Sequence, residues 1–529
     1  MTTPPPSARN THGATPPPAA RVRQPARVRR PARLRLAPAD SPRRQAVKAL
    51  GVAPVGAPVL IGLAPADARH HLHVPGPTGT GKTTLLLNLA VADATAGRGL
   101  AVFDPKGDLI RDLLSRLPPD AARRVVLIDP DETEAPAALN LFDLADDPEA
   151  VADQLVGVMA KVWARYWGPR TDDLARHAVL TLAHVSGATL ADLPVLLADT
   201  SHRRRLMTTI SNTHGPLDAA ELVSFWAWYD SLSPAQASVQ VGPLLSKLRA
   251  VLSRRFAAQL FGVGASTFRL GDILDGGILL VRLPPSLGDD TVRLVGSLLL
   301  AALLHTAQAR TDIPEPQRLD ATLILDEAHT FLHLPIGVDD ALAQARSLHV
   351  SLVLAHQHLA QLTPQMTAAI DANARNKVFF ALSPNDARDL AHHVAPYLDA
   401  DDLTHRDAYG VVCRLVIDGR DTEPFTLATR PAPPAWPGRA EDLRAAARQR
   451  GLPVAERRAL AQARRVGAAA RNTISPSTPT ARPTPASPDP STPAEADESP
   501  ITTGAFTPVP PRPHTRAPHR VVTRPERNT

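Results

Sequence analysis

Leu72-His73-Val74-Pro75-Gly76-Pro77-Thr78-Gly79-Thr80-Gly81-Lys82-Thr83-Thr84 is an apolar run of strand length that opens into a glycine-rich turn, and Leu85-Leu86-Leu87-Asn88-Leu89-Ala90 continues it with a helical pattern. Gly76, Gly81, Lys82 and Thr83 satisfy the spacing G-x-x-x-x-G-K-[ST]. Glycines let the backbone close round a phosphate so that successive N–H groups point at its oxygens. The helix that follows adds its free N–H groups and the positive end of its dipole. The expected nucleotide-binding residues are therefore Gly76, Pro77, Thr78, Gly79, Thr80, Gly81, Lys82, Thr83 and Thr84. Lys82 is expected to reach the β- and γ-phosphates, and the Thr83 hydroxyl to ligate Mg²⁺.

The second signal is Ala321-Thr322-Leu323-Ile324-Leu325-Asp326-Glu327, an apolar strand ending in two acids, which resembles a Walker B segment. Asp326 is expected to hold Mg²⁺ and Glu327 to polarise an attacking water as general base. A glutamate in that place suits a water nucleophile better than a substrate hydroxyl, so hydrolysis of ATP is expected. The third signal, Val350-Ser351-Leu352-Val353-Leu354-Ala355-His356-Gln357, is again a buried-strand pattern ending in a polar side chain. Ligands of open α/β sheets sit outside the carboxyl ends of the strands, where the Gln357 amide could sense a γ-phosphate. His356 and His358 flank it, but no carboxylate or cysteine cluster accompanies them, and metal binding there is not expected. Asp104-Pro105-Lys106-Gly107 also spells D-x-x-G; no N-K-x-D guanine reader follows, since Asn376-Lys377 runs on into Val378-Phe379, and GTP specificity is not expected. For the Asp104–Asp108 turn, support of the nucleotide site and a pore-facing role both remain open.

Other short Val/Leu/Ile runs lie at Val59–Gly62, Leu100–Phe103, Val125–Ile128, Ile278–Leu283, Lys377–Leu382, Gly410–Leu415 and Phe425–Thr429, with helical segments between most of them. Solid apolar runs are what strands buried on both faces look like, so the fold class is α/β with a mainly parallel sheet. Residues 148–262 break the alternation with successive helical patterns and almost no strand signal. They account for much of the 244 residues between Lys82 and Asp326. Two aromatic groups fall there, Trp163, Tyr166 and Trp167, then Phe225, Trp226, Trp228 and Tyr229; core packing is the expected use, and stacking on bases beside Arg165 and Arg170 the other reading.

The chain has 529 residues, one cysteine and a net charge of +6. One cysteine excludes an internal disulfide and fits a reducing compartment. Residues 1–45 hold ten arginines against one acid, Asp40; their charge of +9 taken from +6 leaves −3 for the rest. The basic balance thus belongs to a Pro/Arg-rich tail, expected to be disordered, either an arm for nucleic acid or anionic lipid or a solubilising segment. Residues 471–529, rich in Pro, Thr and Ser, are expected to be disordered as well. The longest apolar stretch, Leu294–Leu304, contains Gly296 and Ser297 and falls short of the ~20 residues a membrane helix needs.

Taken together, the sequence resembles the conjugative coupling ATPases of type IV secretion (the VirD4/TraG/TraD family), within the wider class of DNA pumps that includes HerA and FtsK. The resemblance is carried by His73–Thr84, Phe103-Asp104-Pro105-Lys106-Gly107-Asp108-Leu109, Leu325-Asp326-Glu327-Ala328, Ala355–Leu362 and Ala372–Phe380, in order over about residues 59–430. It implies a RecA-like P-loop NTPase that forms a homo-hexamer, uses ATP and Mg²⁺, binds and moves DNA, and works with a relaxase and secretion-channel proteins. It also implies an arginine acting in trans on the neighbouring subunit's site, one helix after the Walker B pair; Arg346 has that place and Arg375 is the reserve. The family usually carries two membrane helices ahead of this region. None is read here, so a cytoplasmic protein is expected, peripheral at the membrane through partners or its basic tail. The expected organisation is a tail over 1–45, a first nucleotide-domain part over 46–147, an inserted all-α domain over 148–270, a second part over 271–436, a charged helical segment over 437–470 and a tail over 471–529. A HerA-like translocase in repair or phage defence and a nucleotide-binding adaptor without motor activity are the alternatives.

Overall fold

The computed structural model describes residues 47–53, 59–215 and 219–460; the two expected tails and the end of the charged segment lie outside the described residues. Eleven strands form one sheet in the order β2-β1-β13-β10-β9-β3-β8-β7-β4-β6-β5. They are β1 Lys48–Ala53, β2 Val59–Leu63, β3 Leu72–Pro75, β4 Gly99–Asp104, β5 Val125–Ile128, β6 Ile278–Arg282, β7 Ala321–Leu325, β8 Val350–His356, β9 Asn376–Phe379, β10 Gly410–Arg414 and β13 Phe425–Thr429. Strands β11 (Val416–Ile417) and β12 (Arg420–Asp421) make a separate small hairpin.

From β9 to β5 every neighbouring pair is parallel. From β9 outward to β2 every pair is antiparallel. The solid apolar runs do mark strands, but Val59–Gly62, Gly410–Leu415 and Phe425–Thr429, read with the parallel set, belong to the antiparallel flank. Runs of this kind say that both faces are covered and nothing about strand direction. Strand β1 escapes the pattern altogether, because its first residue is a lysine. Lys48 enters the core only because its ammonium lies 3.0 Å from Asp93 and 2.6 Å from the Thr322 hydroxyl.

Side chains alternate between two apolar layers. In β4, Ala101 and Phe103 face one layer while Leu100 and Val102 face the other. The second layer is completed by Leu85, Leu86 and Leu89 of the helix Lys82–Thr95 and by Leu109, Ile110 and Leu113 of Asp108–Leu114. The first is completed by the long helix Asp289–Gln308. This helix meets the length and composition of a membrane span, but Leu294, Leu298, Leu299, Leu300 and Leu303 are buried inside the protein, so its apolarity serves the core. Gly296 lets it approach closely: a Cβ there would sit 2.3 Å from the Phe331 ring.

Between β5 and β6 the described chain is helical, with Pro148–Val162, Pro169–Ala183, Leu193–Ala198, Thr200–His214, Ala220–Ser231, Pro234–Leu252, Arg255–Phe261 and Leu270–Leu274 as its α-helices. The chain re-enters beside the point where it leaves, Thr267 N–H donating to the Ala138 carbonyl at 2.9 Å and Asn140 N–H to the Ser266 hydroxyl at 2.9 Å. Trp163, Trp226 and Tyr229 are core residues; Trp226 donates to the Thr181 hydroxyl at 2.8 Å. Arg203 is buried with them, ion-paired to Asp230 and stacked over the Tyr229 ring. Tyr166 and Trp228 are exposed, so the aromatic groups are split between interior and surface. The charged segment forms a helix, Arg439–Arg450, that docks through Leu443 and through ion pairs of Arg444 with Asp129 (3.2 Å) and Arg448 with Glu132 (2.7 Å).

Candidate active site

Strands β3, β8, β7 and β4 are neighbours, and their carboxyl ends deliver the four polar turns named from the sequence to one place. Pro75 closes β3, and Gly76 N–H donates to the His356 carbonyl at 3.1 Å, so the glycine-rich loop starts tied to β8. Its crest, Thr78 and Gly79, is exposed; Lys82 begins the helix and is buried. The Lys82 ammonium donates to the carbonyls of Gly76 and Pro77, inside the turn of the loop. Burial lowers its pKa, the carboxylates of Asp326 and Glu327 oppose that, and Lys106 adds to it.

Asp326 and Glu327 follow β7. Asp326 N–H donates to the Phe103 carbonyl at 3.0 Å, which ties this turn to β4. Glu327 takes a left-handed backbone (φ 53°), an uncommon conformation for a non-glycine residue. Its Oε1 accepts hydrogen bonds from Lys106 Nζ at 2.7 Å and from the Gln357 amide, and Gln361 lies 3.5 Å from Oε2. Burial would raise its pKa, but the hydrogen bonds from Lys106 and Gln357 and the nearby ammonium charges prevail and lower it. Asp326 moves the other way, up to about 6, through burial first and then the charges of Glu327 and Asp104. Two adjacent carboxylates are thus pushed apart in acidity by their surroundings, Glu327 downward and Asp326 upward.

Gln357 joins the pieces, its carbonyl accepting from the Thr78 hydroxyl at 3.2 Å while its amide donates to Glu327. Asp104 is a framework residue, its carboxylate accepting from the N–H groups of Lys106 and Gly107 at 2.8 Å and of Ile110 at 3.0 Å. Two contributors were not singled out from the sequence. Lys106 was visible only as part of a turn, and its ion pair spans 221 residues. Tyr409 carried no signal at all; its N–H donates to the Thr80 carbonyl at 2.8 Å, and its ring packs on Gly81.

Gly81 has φ 112°, and a Cβ on it would lie 2.7 Å from the Tyr409 ring. Gly81→Ala should therefore strain the loop by about 1–3 kcal/mol and weaken nucleotide binding roughly 10–100-fold. Calorimetric titration with a non-hydrolysable ATP analogue checks this; an unchanged affinity would mean that the loop tolerates the strain.

Arg346 is not in this site. It lies in the last turn of the helix Val338–Ser347, ahead of β8, whereas Gln357 follows that strand. Seven strand residues separate the two edges by roughly 20 Å, so Arg346 does not reach the glycine-rich loop of its own chain. It is exposed in a cleft with Arg69, His70 and Glu315, and its side chain makes no hydrogen bond or ion pair among the described residues. Arg375 lies on the same edge but is engaged, by Asp421 at 2.8 Å and by the His70 ring at 3.2 Å. Burial and these two arginines push the His70 pKa down to about 4.

The histidines beside Gln357 diverge. The buried His356 ring bonds His73 at 2.7 Å, and His358 faces Asp386 at 3.6 Å. Elsewhere Asp371, His392 and His393 gather closely enough to hold a metal ion, but Lys377 Nζ lies 3.4 Å from the same Asp371 oxygen and already supplies a cation.

A glycine-rich loop after one strand, a carboxylate pair after another and a polar amide after the strand between them define the RecA-like class of P-loop NTPase folds. No protein-family model matches the sequence, and no curated protein sequence does. Solved structures of a bacterial conjugative coupling protein, TrwB, share the fold. The unbound form of TrwBdeltaN70 is 17% identical with a TM-score of 0.52, over 74% of this chain and 92% of that one. TrwB with the non-hydrolysable ATP analogue ADPNP is 18% identical with a TM-score of 0.51, over 78% and 98%. TrwB with the GTP analogue GDPNP is 17% identical with a TM-score of 0.50, over 70% and 89%. At such identities the likeness is one of fold.

Proposed function

We propose that this protein is an ATP-driven DNA translocase, a coupling protein that delivers DNA or a relaxase–DNA complex to a type IV secretion channel. The observation that carries the hydrolytic part is the Lys82–Glu327–Gln357 constellation, in which a buried ammonium, an ionised carboxylate and an amide from three strand ends meet at one glycine-rich loop. The shared fold with a plasmid coupling protein supports the DNA-transport part. Lys82 and the loop N–H groups would hold the phosphates, Glu327 would take the proton from water, and Gln357 would report the γ-phosphate to the base. Lacking an N-K-x-D reader, the site is assigned to ATP, although TrwB has been seen with both nucleotide analogues.

Mg²⁺ fits the residues present. Asp326 is a buried carboxylate crowded by Glu327 and Asp104, which is the electrostatic demand a divalent cation meets, and the Thr83 hydroxyl opens the adjoining helix. Asp326 and Thr83 would hold the ion, which supplies charge neutralisation of the phosphates. Because Asp326 is protonated below about pH 6 and ionised above, Mg²⁺-dependent nucleotide affinity should fall as pH drops through 6, by about tenfold per unit below that. Folding stability of the metal-free protein runs in the opposite sense: a carboxyl pKa raised from 3.8 to about 6 contributes stability that is fully present below about pH 4 and lost as pH rises through 6. Titrations at pH 5, 6 and 7 with and without Mg²⁺ test this; equal affinity at all three removes Asp326 as the ligand.

Within this reading, residues 46–147 and 271–436 form one nucleotide-binding domain, interrupted by the all-α domain of 148–270, whose two chain connections lie side by side. The protein works as a homo-hexamer on the cytoplasmic side, reaching the membrane through partners or its basic tail. DNA-stimulated ATP hydrolysis, measured with the mass of the assembly, is the test. A protein that hydrolyses no ATP in the presence of DNA is not this motor.

A further inference from the structure

Lys106 and Gln357 share Oε1 of the Glu327 carboxylate, and Gln361 stands 3.5 Å from Oε2. A carboxylate oxygen that accepts from an ammonium and an amide has both lone pairs taken and its negative charge offset, so it is a weaker base towards water until one donor withdraws. Gln357 and Gln361 belong to one turn and are braced there, Gln361 accepting from the N–H groups of Gln357 and His358 at 3.0 Å. Lys106 differs. Its side chain is 42% exposed and flexible, and it stands on a turn whose backbone is pinned by Asp104, so the ammonium can swing while the turn stays in place. Lys106 is also close enough to Lys82 to oppose its charge, so an anion arriving between the two ammonium groups would attract both.

We propose that Lys106 is a releasable clamp on Glu327, a positioning residue that holds the base in a resting arrangement and lets go when a phosphate oxygen draws its ammonium away. The inference rests on Glu327 being the base of the proposed hydrolysis. It explains why a lysine on a separate turn is paired with that carboxylate, and it assigns the Asp104–Asp108 turn to control of the nucleotide site. The phosphate can belong to the nucleotide or to nucleic acid, and assays with and without DNA separate the two.

The experiment compares wild type, Lys106→Met and Lys106→Arg for steady-state ATP hydrolysis, with melting temperature as the folding control. In Lys106→Met the DNA-free kcat should rise about threefold or more with KM for ATP unchanged, whereas Lys106→Arg, which keeps the ion pair, should behave as wild type. Adding Lys106→Met to Glu327→Gln should give no rise, because the two act through one carboxylate. If the rise in Lys106→Met comes with lost stimulation by DNA, the releasing phosphate is that of nucleic acid; if the fold-stimulation is unchanged, it is that of the nucleotide. A kcat that falls or stays level in Lys106→Met overturns the clamp while leaving the motor reading intact, provided wild type hydrolyses ATP. An inert wild type overturns both.

Discussion

Lys82→Ala is expected to abolish ATP hydrolysis, by about 10³-fold or more, and to remove most nucleotide affinity, while Glu327→Gln should lose hydrolysis to a similar extent and still bind. The difference follows from where the two side chains sit. The Lys82 ammonium occupies the centre of the glycine-rich loop, on the carbonyls of Gly76 and Pro77, where it would meet phosphate oxygens in both ground and transition states. Glu327 lies across from it and is bonded to Lys106 and Gln357, not to the loop. Its amide replacement keeps the shape and can still accept from Lys106, but it cannot take a proton. Filter binding with labelled ATP and a phosphate-release assay measure the two quantities separately. Glu327→Gln failing to bind would move the base elsewhere, and Lys82→Ala retaining turnover would remove the loop from the chemistry.

The second large effect concerns Arg346. Arg346→Ala should reduce hydrolysis by about 10³-fold, the scale of a lost arginine finger, without altering nucleotide affinity much. In the homo-hexamer proposed above Arg346, which stands on the sheet edge opposite the loop with its side chain unengaged among the described residues, would act on another subunit. Mixing Arg346→Ala with Lys82→Ala subunits, each inactive alone, should therefore restore part of the turnover, since some interfaces then pair an intact loop with an intact arginine. No recovery at any mixing ratio would remove this assignment. The engaged Arg375 is the contrast: its bond to Asp421 ties β9 to the small β11–β12 hairpin, and Arg375→Ala should act mainly on stability.

How far the site could be read in advance varied with the range of each interaction. Gly76, Gly81, Lys82 and Thr83 are legible because their geometry is local: one turn, one helix start, a fixed spacing. Asp326, Glu327 and Gln357 are legible as the polar ends of buried strands, and a parallel sheet brings such ends to one edge. Lys106 and Tyr409 were not legible as site residues, because their contacts join turns far apart in the chain. The antiparallel flank was hidden for a related reason: apolar runs report burial, and direction is set by which strands pair.

The amino-acid sequence alone determined the phosphate-binding loop, the paired acids and the division into alternating and purely helical regions, because these rest on backbone conformation and burial pattern within short windows. Only the tertiary structure decided that Lys106 holds Glu327, that Gln357 bridges the loop to that acid, and that Arg346 faces away from its own site. Those relations depend on strand order, and the order β9-β3-β8-β7-β4 follows from packing across the whole sheet, which no local stretch specifies.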